Sequence, residues 1–239
     1  MLFTCTFNLI FKFIRNIKVV FDSYEHENQI KGTSKEHYLT EIRAVITKCT
    51  FSYTRQIEMK GLGHAILCGE TLIGDQPFAV LLADDLCDAP GKGVLAQMVD
   101  LYKKYGCSIV AIEEIPKEDT NKYGVIAGNE IEPGIYMVKD MVEKPEPEVA
   151  PSNLAIIGRY ILTPDIFNII RETKPGKGGE IQITDALLTQ AKKGMVLAFK
   201  FEGQRFDCGS IDGFVKATNY FYDKETKKEA AAKKASGAK

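Results

Sequence analysis

The chain has 239 residues, of which 45% are hydrophobic and 26% charged, and its formal net charge is −1. This composition is that of a globular protein with one large or two small α/β domains, and the balanced charge gives no support to nucleic-acid binding. The six cysteines form no C-x-x-C pair and no Cys/His ligand spacing, which argues against a zinc or dithiol site and favours a reducing, cytoplasmic setting.

The N-terminal segment is both apolar and basic. Residues 1–21 contain three basic residues, no acidic residue and no glycine. Because the basic residues interrupt the apolar run, the pattern differs from a signal peptide and from a transmembrane helix of about 20 mostly apolar residues. We therefore predict an atypical N-terminus over residues 1–21 without a membrane role, one domain over residues 22–223, and a Lys- and Ala-rich tail over residues 224–239 that is a frayed helix or disordered.

The following elements alternate between helix and strand. Ser34 can cap a helix of apolar residues at helical spacing, and residues 51–54 alternate like a half-buried strand. The apolar run 78–82 predicts a buried strand, residues 91–105 a helix with one apolar face, and residues 108–112 a further strand. This order resembles βαβ units and predicts a mostly parallel sheet.

The middle of the chain changes character, because short apolar runs are separated there by Gly, Pro and Asn. Three of these runs predict an antiparallel insertion beside the main sheet: Tyr123–Ile126, Gly134–Val138 and Met141–Pro145. Beyond them the pattern predicts strands over 154–162 and 195–201, and helices that begin at Thr163, at Thr184 or Asp185, and at Phe214.

Two carboxylates, Asp84 and Asp85, follow the apolar run 78–82. Open α/β sheets place ligands outside the carboxyl ends of their strands. Hard oxygen ligands at such a position suit Mg²⁺, which commonly takes one or two carboxylates plus substrate phosphates. An Asp pair after a strand also opens turns and caps helices, so these residues alone leave both interpretations open.

Six motifs occur in an order and spacing that are similar to those of a known family. Over residues 22–222 the chain resembles the bacterial UTP–glucose-1-phosphate uridylyltransferases, also called UDP-glucose pyrophosphorylases. The motifs are Lys60-Gly-Leu-Gly-His-Ala-Ile-Leu-Cys, Leu81-Leu-Ala-Asp-Asp-Leu, Val142-Glu-Lys-Pro, Pro151-Ser-Asn-Leu-Ala-Ile-Ile-Gly-Arg-Tyr, Gly179-Glu-Ile-Gln-Ile-Thr-Asp-Ala-Leu and Phe206-Asp-Cys-Gly-Ser.

The resemblance implies an α/β fold with a Rossmann-like mixed, mostly parallel sheet flanked by helices. It also implies a Mg²⁺-dependent reaction of UTP with glucose 1-phosphate, which gives UDP-glucose and pyrophosphate, and it leaves a homo-oligomer open. The attacking group is already an anionic phosphate oxygen, so no general base is needed. Such a site must align two anions and neutralise the charge that moves onto pyrophosphate.

The metal site implied by the resemblance joins two acids that are distant in sequence. Asp84 matches the Mg²⁺ ligand, and Asp207 matches a second acid close to the metal. With Lys144, these residues are the expected catalytic groups. Taken alone, Asp207 before a glycine is typical of a turn.

The nucleotide site implied by the resemblance contains Gln56 and Gly61, which match the uracil-reading positions of the family. A carboxamide offers both a donor and an acceptor to an imide edge, and a glycine lets the backbone approach a base closely. His64 is interpreted as a packed or capping residue, since the reaction needs no base. Taken alone, Gln56 would be a surface residue.

The sugar site implied by the resemblance contains Glu143, Lys144, Gly124 and Asn153. Glu143 would accept hydrogen bonds from glucose hydroxyls, and Lys144 would face the sugar phosphate. Gly124 matches a backbone contact to the sugar, and Asn153 lies in a matched motif. The alternative for Glu143 and Lys144 is an exposed ion pair, although neighbours on a strand point to opposite faces.

The chain departs from the family at two places that face phosphate. Nothing in residues 1–21 matches the family's Gly-x-Gly-Thr-Arg loop or its first strand, and Ile211 stands where the family usually has Lys. We expect an N-terminally incomplete fold, with a sheet edge that the apolar residues 2–21 cover in part, and poor turnover. The alternatives are a catalytically poor relative that only binds sugar nucleotide or partners, and a thymidylyl- or adenylyltransferase.

Overall fold

The computed structural model describes residues 8–12, 28–33, 36, 39–40, 43, 48, 50 and 52–235. Of the predicted helix after Ser34, only residues 36, 39–40 and 43 are described, and these are helical. The rest of that helix and the N-terminus before residue 28, other than residues 8–12, lie outside the described residues. The predicted strand over residues 51–54 is not formed, because residues 52–57 have no regular secondary structure and no pairing strand. Among the described residues, no helix is both long and apolar enough to cross a membrane.

Nine strands and six α-helices have both of their bounds within the described part of the chain. The strands are β1 (Asn8–Lys12), β2 (Phe78–Leu82), β3 (Asp85–Asp88), β4 (Ser108–Glu114), β5 (Gly124–Glu132), β6 (Ile135–Glu143), β7 (Leu154–Leu162), β8 (Val196–Lys200) and β9 (Gln204–Asp207). The helices are α1 (Gly61–Leu67), α2 (Glu70–Ile73), α3 (Val94–Tyr105), α4 (Ile166–Glu172), α5 (Ile183–Ala191) and α6 (Ile211–Ala235), with 3-10 turns at Lys117–Lys122 and Lys177–Gly179.

Seven of the described strands form one mixed sheet in the order β1-β2-β7-β4-β8-β6-β5, which confirms the α/β fold class. Neighbouring strands are parallel only for β1–β2 and β4–β8 and antiparallel for the rest. The prediction of a mostly parallel sheet therefore fails for strand pairing. The strands β2 and β4 do run in the same direction, as a βαβ unit requires, but β7 lies between them and runs against both.

The predicted antiparallel insertion is part of the main sheet. Its three predicted runs belong to only two strands, β5 and β6, which are longer than predicted. A tight turn at Gly134, which has a φ of 74°, joins them. The hairpin is not separate, because β6 pairs with β8 and β5 also pairs with β7.

The sheet is buried on both faces, which explains the nearly continuous apolar runs of its central strands. In β7 the side chains of Ile156, Tyr160 and Leu162 join one core with α1, α4 and α5, and those of Ile157 and Ile161 join a second core with α3. This alternation is the two-residue period of a strand.

The N-terminal strand β1 lies at the edge of the sheet. It pairs in parallel with β2, in a register that sets Ile10 beside Val80. Residues 8–12 therefore cover the outer edge of β2, and the rest of the segment predicted to cover this edge lies outside the described residues. The C-terminal helix runs from Ile211 to Ala235 and so begins before the predicted start at Phe214.

Candidate active site

A two-stranded ladder brings the Asp84-Asp85 pair to the second acidic motif. β2 ends at Leu82, the chain turns, and β3 then pairs antiparallel with β9 so that Asp85 lies opposite Asp207. The backbone N–H of Cys208 donates to the Asp84 carbonyl oxygen at 2.7 Å. Two acids that are more than a hundred residues apart are thus joined by backbone hydrogen bonds.

The carboxylates of Asp84 and Asp207 converge on Gly209. A Cβ atom built on this glycine would lie 3.0 Å from Asp207 Oδ1 and 3.6 Å from Asp84 Oδ2. Burial alone would raise the pKa of Asp207, but the hydrogen bond from Tyr123 and the charge of Arg205 outweigh it and lower that pKa below its usual value. Asp207 is therefore held as an anion.

Asp85 differs from Asp84, because both oxygens of its carboxylate accept hydrogen bonds from groups inside the protein. Its Oδ2 accepts from the Gly158 backbone N–H at 2.6 Å, and its Oδ1 accepts from Arg205 Nε. The residue is 5% exposed, and this burial raises its pKa in spite of the arginine. Asp85 thus holds the ladder against β7 and leaves Asp84 as the outward-facing member of the pair.

A cavity of about 270 Å³ lies over these acids, between the ladder, the start of β5, the end of β6, the middle of β7 and the start of α5. Five of the predicted site residues line it, whereas Gln56, Gly61 and Asn153 do not. The five are Asp84, Gly124, Glu143, Lys144 and Asp207.

The pair Glu143-Lys144 faces this cavity because the chain turns sharply after β6. Lys144 has a φ of 49°, which is uncommon for a residue other than glycine. The turn lets both side chains line the cavity, whereas a continuing strand would point them to opposite faces. Glu143 Oε2 accepts from Thr184 Oγ1 at 2.6 Å, and Lys144 Nζ lies 3.9 Å from Glu143 Oε1.

Gly124 lies opposite Glu143 in the β5–β6 ladder. A Cβ atom here would lie 3.1 Å from Thr184 Oγ1 and 3.2 Å from Glu143 Oε2. The glycine therefore leaves room for the hydrogen bond that orients Glu143.

Gln56 is oriented by a residue that the sequence did not connect with it. Its Nε2 donates to the Gly61 carbonyl oxygen at 3.1 Å and lies 3.0 Å from His64 Nδ1. These contacts use the amide nitrogen and leave Oε1 as the acceptor. His64 is thus a hydrogen-bond partner of Gln56 on α1.

Close packing explains why position 61 is a glycine, whether or not a ligand is bound. Its φ is 89°, and a Cβ atom would lie 2.7 Å from Glu180 Cβ and 2.9 Å from the Ile181 carbonyl oxygen. Lys60 and Gly63 hydrogen-bond the Ile181 backbone on either side. The Gly-Leu-Gly motif thus packs directly onto the Gly179-Glu-Ile-Gln motif.

Asn153 lies outside the cavity. Its Nδ2 donates to the Ile115 carbonyl oxygen at 3.3 Å, and its own carbonyl accepts from the Ile115 N–H at 3.0 Å. Ile211 is also outside the cavity lining, at the start of α6, with 84% of its surface exposed.

Sequence reasoning missed Arg205, Tyr123 and Thr184, all of which line the cavity. Arg205 was open to prediction, because residues two apart on a strand share a face and it stands two residues before Asp207. Tyr123 and Thr184 have no such local signal, because their partners come from other elements.

The acids fit a hard divalent cation as a partial ligand set. Within the described residues, no three or more His, Cys, Asp or Glu side chains are grouped to hold a metal. Mg²⁺ needs no such group, since it binds through one or two carboxylates together with substrate phosphates and water. Asp84 and Asp207 offer that number, and no described group donates a hydrogen bond to the Asp84 carboxylate.

Comparison with known proteins places these features in a family. The model of the nucleotidyl transferase family matches residues 1–224. A UTP–glucose-1-phosphate uridylyltransferase of Pseudomonas aeruginosa is 68% identical over 202 residues, which are 84% of this chain and 72% of that protein. One from Bacillus subtilis is 44% identical over 214 residues, or 88% of this chain and 73% of that protein.

Solved structures give the same result. A UDP-glucose pyrophosphorylase without ligand is 60% identical with a TM-score of 0.84, over 91% of this chain and 80% of that one. A UDP-glucose pyrophosphorylase in complex with UDP-glucose is 56% identical with a TM-score of 0.81, over 90% and 80% of the two chains. The chain therefore belongs to the nucleotidyl transferase family, within the group of UTP–glucose-1-phosphate uridylyltransferases.

Proposed function

We propose that this protein joins UTP and glucose 1-phosphate to give UDP-glucose and pyrophosphate, with a divalent cation, Mg²⁺, at Asp84 and Asp207. The observation that carries the proposal is that these two carboxylates and the Glu143-Lys144 pair line one and the same cavity. The likeness to a UDP-glucose pyrophosphorylase solved with UDP-glucose supports the same activity.

The acidic half of the cavity handles the phosphates that react. Asp84 and Asp207 would hold the cation, which would supply positive charge to the triphosphate as pyrophosphate leaves. The nucleophile is a phosphate oxygen that is already charged, so the protein needs to align the two substrates and no side chain needs to remove a proton. This fits a cavity in which Asp207 is held as an anion.

The other half of the cavity binds the sugar phosphate. Glu143 is oriented by Thr184 and would accept hydrogen bonds from vicinal hydroxyls of glucose. Lys144 would place its ammonium group against the sugar phosphate, and the Gly124 backbone would contact the sugar. Asn153 supports this part of the fold through its hydrogen bond to Ile115, and its contact with the sugar stays a prediction.

Uridine recognition is assigned to Gln56 and Gly61. Since the amide nitrogen of Gln56 is used by Gly61 and His64, its Oε1 is the atom that would accept the imide N–H of uracil. Cytosine has no N–H at that ring position, so this acceptor favours uracil and thymine over cytosine.

A second candidate function, sugar-nucleotide binding with little turnover, is favoured by one observation. Residues 1–21 contain no glycine, and so no Gly-rich loop that could cradle the triphosphate with backbone N–H groups. Loss of a single preorganised donor of this kind typically costs about 2.7–4 kcal/mol of transition-state stabilisation. We therefore propose that turnover is low although the uridine, metal and sugar groups are present.

The test measures binding and turnover separately. Calorimetry of UDP-glucose with and without Mg²⁺ is paired with a coupled pyrophosphate-release assay, for the wild-type protein, Asp84→Asn and the exposed control Asp75→Asn at the opposite end of β2. We expect Mg²⁺-dependent binding in the wild type and in Asp75→Asn, and its loss in Asp84→Asn. Equal Mg²⁺ dependence in all three proteins would refute the metal assignment, and near-normal pyrophosphate release would refute low turnover.

A further inference from the structure

Beneath the candidate active site lies a guanidinium group surrounded by acids. The Arg205 side chain is 7% exposed and donates to three carboxylates, through Nε to Asp85, through Nη1 to Glu113 at 2.7 Å and through Nη2 to Asp207 at 3.1 Å. Burial opposes its charge, but the charge of Asp85, a hydrogen bond with Tyr123 and the charge of Glu113 raise its pKa above the usual value. Arg205 is therefore a permanent cation among acids that would otherwise repel one another.

Tyr123 touches this cluster and also touches the sugar-phosphate half of the cavity. Its hydroxyl donates to Asp207 Oδ2 at 2.8 Å, and its ring lies under the Arg205 guanidinium, with 5.0 Å between Arg205 Cζ and the ring centroid. Its carbonyl oxygen accepts from the backbone N–H of Lys144 at 3.0 Å. One residue thus contacts both the acid assigned to the metal and the turn that carries the lysine.

The contacts leave one oxygen of Asp207 directed at the cavity. Oδ2 accepts from both Tyr123 and Arg205, whereas Oδ1 accepts, among the described residues, only from the Gly209 N–H at 3.0 Å. Oδ1 also lies on the side of Gly209, which the Asp84 carboxylate approaches as well, since a Cβ atom there would lie 3.0 Å from Asp207 Oδ1 and 3.6 Å from Asp84 Oδ2. With Oδ2 tied down, the carboxylate cannot rotate freely away from Asp84.

We propose that Tyr123 and Arg205 are positioning residues, together the Tyr123–Arg205 clamp, which hold Asp207 Oδ1 toward the divalent cation and couple that orientation to the Lys144 turn. The inference rests on the proposed function and adds residues that work through Asp207 without touching the cation. Partners of this kind typically change metal affinity by about 10–100-fold when they are removed.

The test uses Mn²⁺, which prefers the same hard oxygen ligands as Mg²⁺ and is read out by electron paramagnetic resonance. Binding of Mn²⁺ is measured in the presence of UDP-glucose for the wild type, Tyr123→Phe and the control Tyr222→Phe, whose side chain is exposed on α6. Tyr123→Phe removes only the hydroxyl and keeps the ring under Arg205. We expect its Mn²⁺ affinity to fall about tenfold, with unchanged affinity for UDP-glucose in the absence of metal and no change in Tyr222→Phe.

A double-mutant cycle separates positioning from general destabilisation. If Tyr123 acts through Asp207, Tyr123→Phe has no further effect on Mn²⁺ binding once Asp207→Asn is present. Arg205→Lys should resemble Tyr123→Phe, because a lysine cannot contact three carboxylates in one plane. If Arg205→Lys does not fold, the cycle with Tyr123→Phe decides alone.

The outcomes separate the clamp from the proposed function. Equal Mn²⁺ affinity in the wild type and Tyr123→Phe would overturn the clamp and leave the metal assignment in place. An equal loss in the presence and absence of Asp207 would also overturn it. No Mn²⁺ binding by the wild type would overturn the proposed metal site, and the clamp with it.

Discussion

The substitution Gly158→Ala tests whether the ladder of acids is held rigidly against β7. A Cβ atom at this buried position would lie 2.5 Å from Asp85 Oδ2, 2.6 Å from Leu82 Cβ and 2.9 Å from Leu82 Cγ, whereas ordinary contact begins at 3.4 Å. Each neighbour would have to move by up to about 0.9 Å, and Asp85 cannot move without lengthening its hydrogen bond from the Gly158 N–H. The methyl group therefore competes directly with the contact that fixes Asp85.

The magnitude follows from three terms. Overpacking costs about 1–3 kcal/mol, and the loss of a hydrogen bond to a charged group costs about 1.5–3 kcal/mol. Replacing a strand glycine with alanine returns about 0.5–1 kcal/mol through the entropy of the unfolded chain. We expect a net loss of about 1.5–5.5 kcal/mol in the free energy of unfolding.

The assay is urea unfolding of the wild type, Gly158→Ala and the control Gly93→Ala. Nothing lies within 4 Å of a Cβ atom at Gly93, the residue before α3, so this change should cost less than about 1 kcal/mol. A Gly158→Ala protein within about 0.5 kcal/mol of the wild type would refute the reasoning, because it would mean that Asp85 and Leu82 can move without loss.

Two further changes test the sugar site and the anchor of α6. Glu143→Gln should weaken UDP-glucose binding by about tenfold while leaving UDP binding unchanged, since only the sugar loses a charged acceptor; equal losses in calorimetry would show that Glu143 is no sugar ligand. Asp88 anchors α6, because its carboxylate accepts hydrogen bonds from Lys224 and Tyr220 on that helix. The bond from Lys224, and after it the bond from Tyr220, holds the pKa of Asp88 below its usual value. The anchor is therefore complete above the ordinary aspartate pKa and is lost as pH falls through the lowered pKa of Asp88. Hydrogen exchange in residues 215–226 should be faster in Asp88→Asn at neutral pH, and unchanged exchange would contradict the anchor.

Elements whose signals are local were open to prediction from the sequence. The runs that predicted β2 and β7 match the observed bounds of these strands, Phe78–Leu82 and Leu154–Leu162. Burial on both faces leaves the same mark in a sequence whatever the direction of the neighbouring strand, however. The pattern could therefore identify β7 as a central strand but could not show that it runs between β2 and β4, against both.

The same limit separates what could be predicted of the site from what could not. Asp84 was open to prediction, because a strand end is visible in the residues that precede it. The inward turn of Lys144 was not, because a positive φ at a residue other than glycine is imposed by the surrounding fold, here partly by the hydrogen bond to the Tyr123 carbonyl oxygen.

The residues that join the two halves of the cavity have their partners in other elements. Tyr123 directly precedes β5, yet its hydroxyl reaches Asp207 on β9, 84 residues further along the chain. A tyrosine before a glycine has no feature of its own that predicts such a partner, whereas Asp207 and Lys144, which it connects, are recognisable from their own motifs. The chemistry of the site could thus be inferred from motifs, but the geometry that sets one carboxylate oxygen toward a cation depends on contacts that only the folded chain brings together.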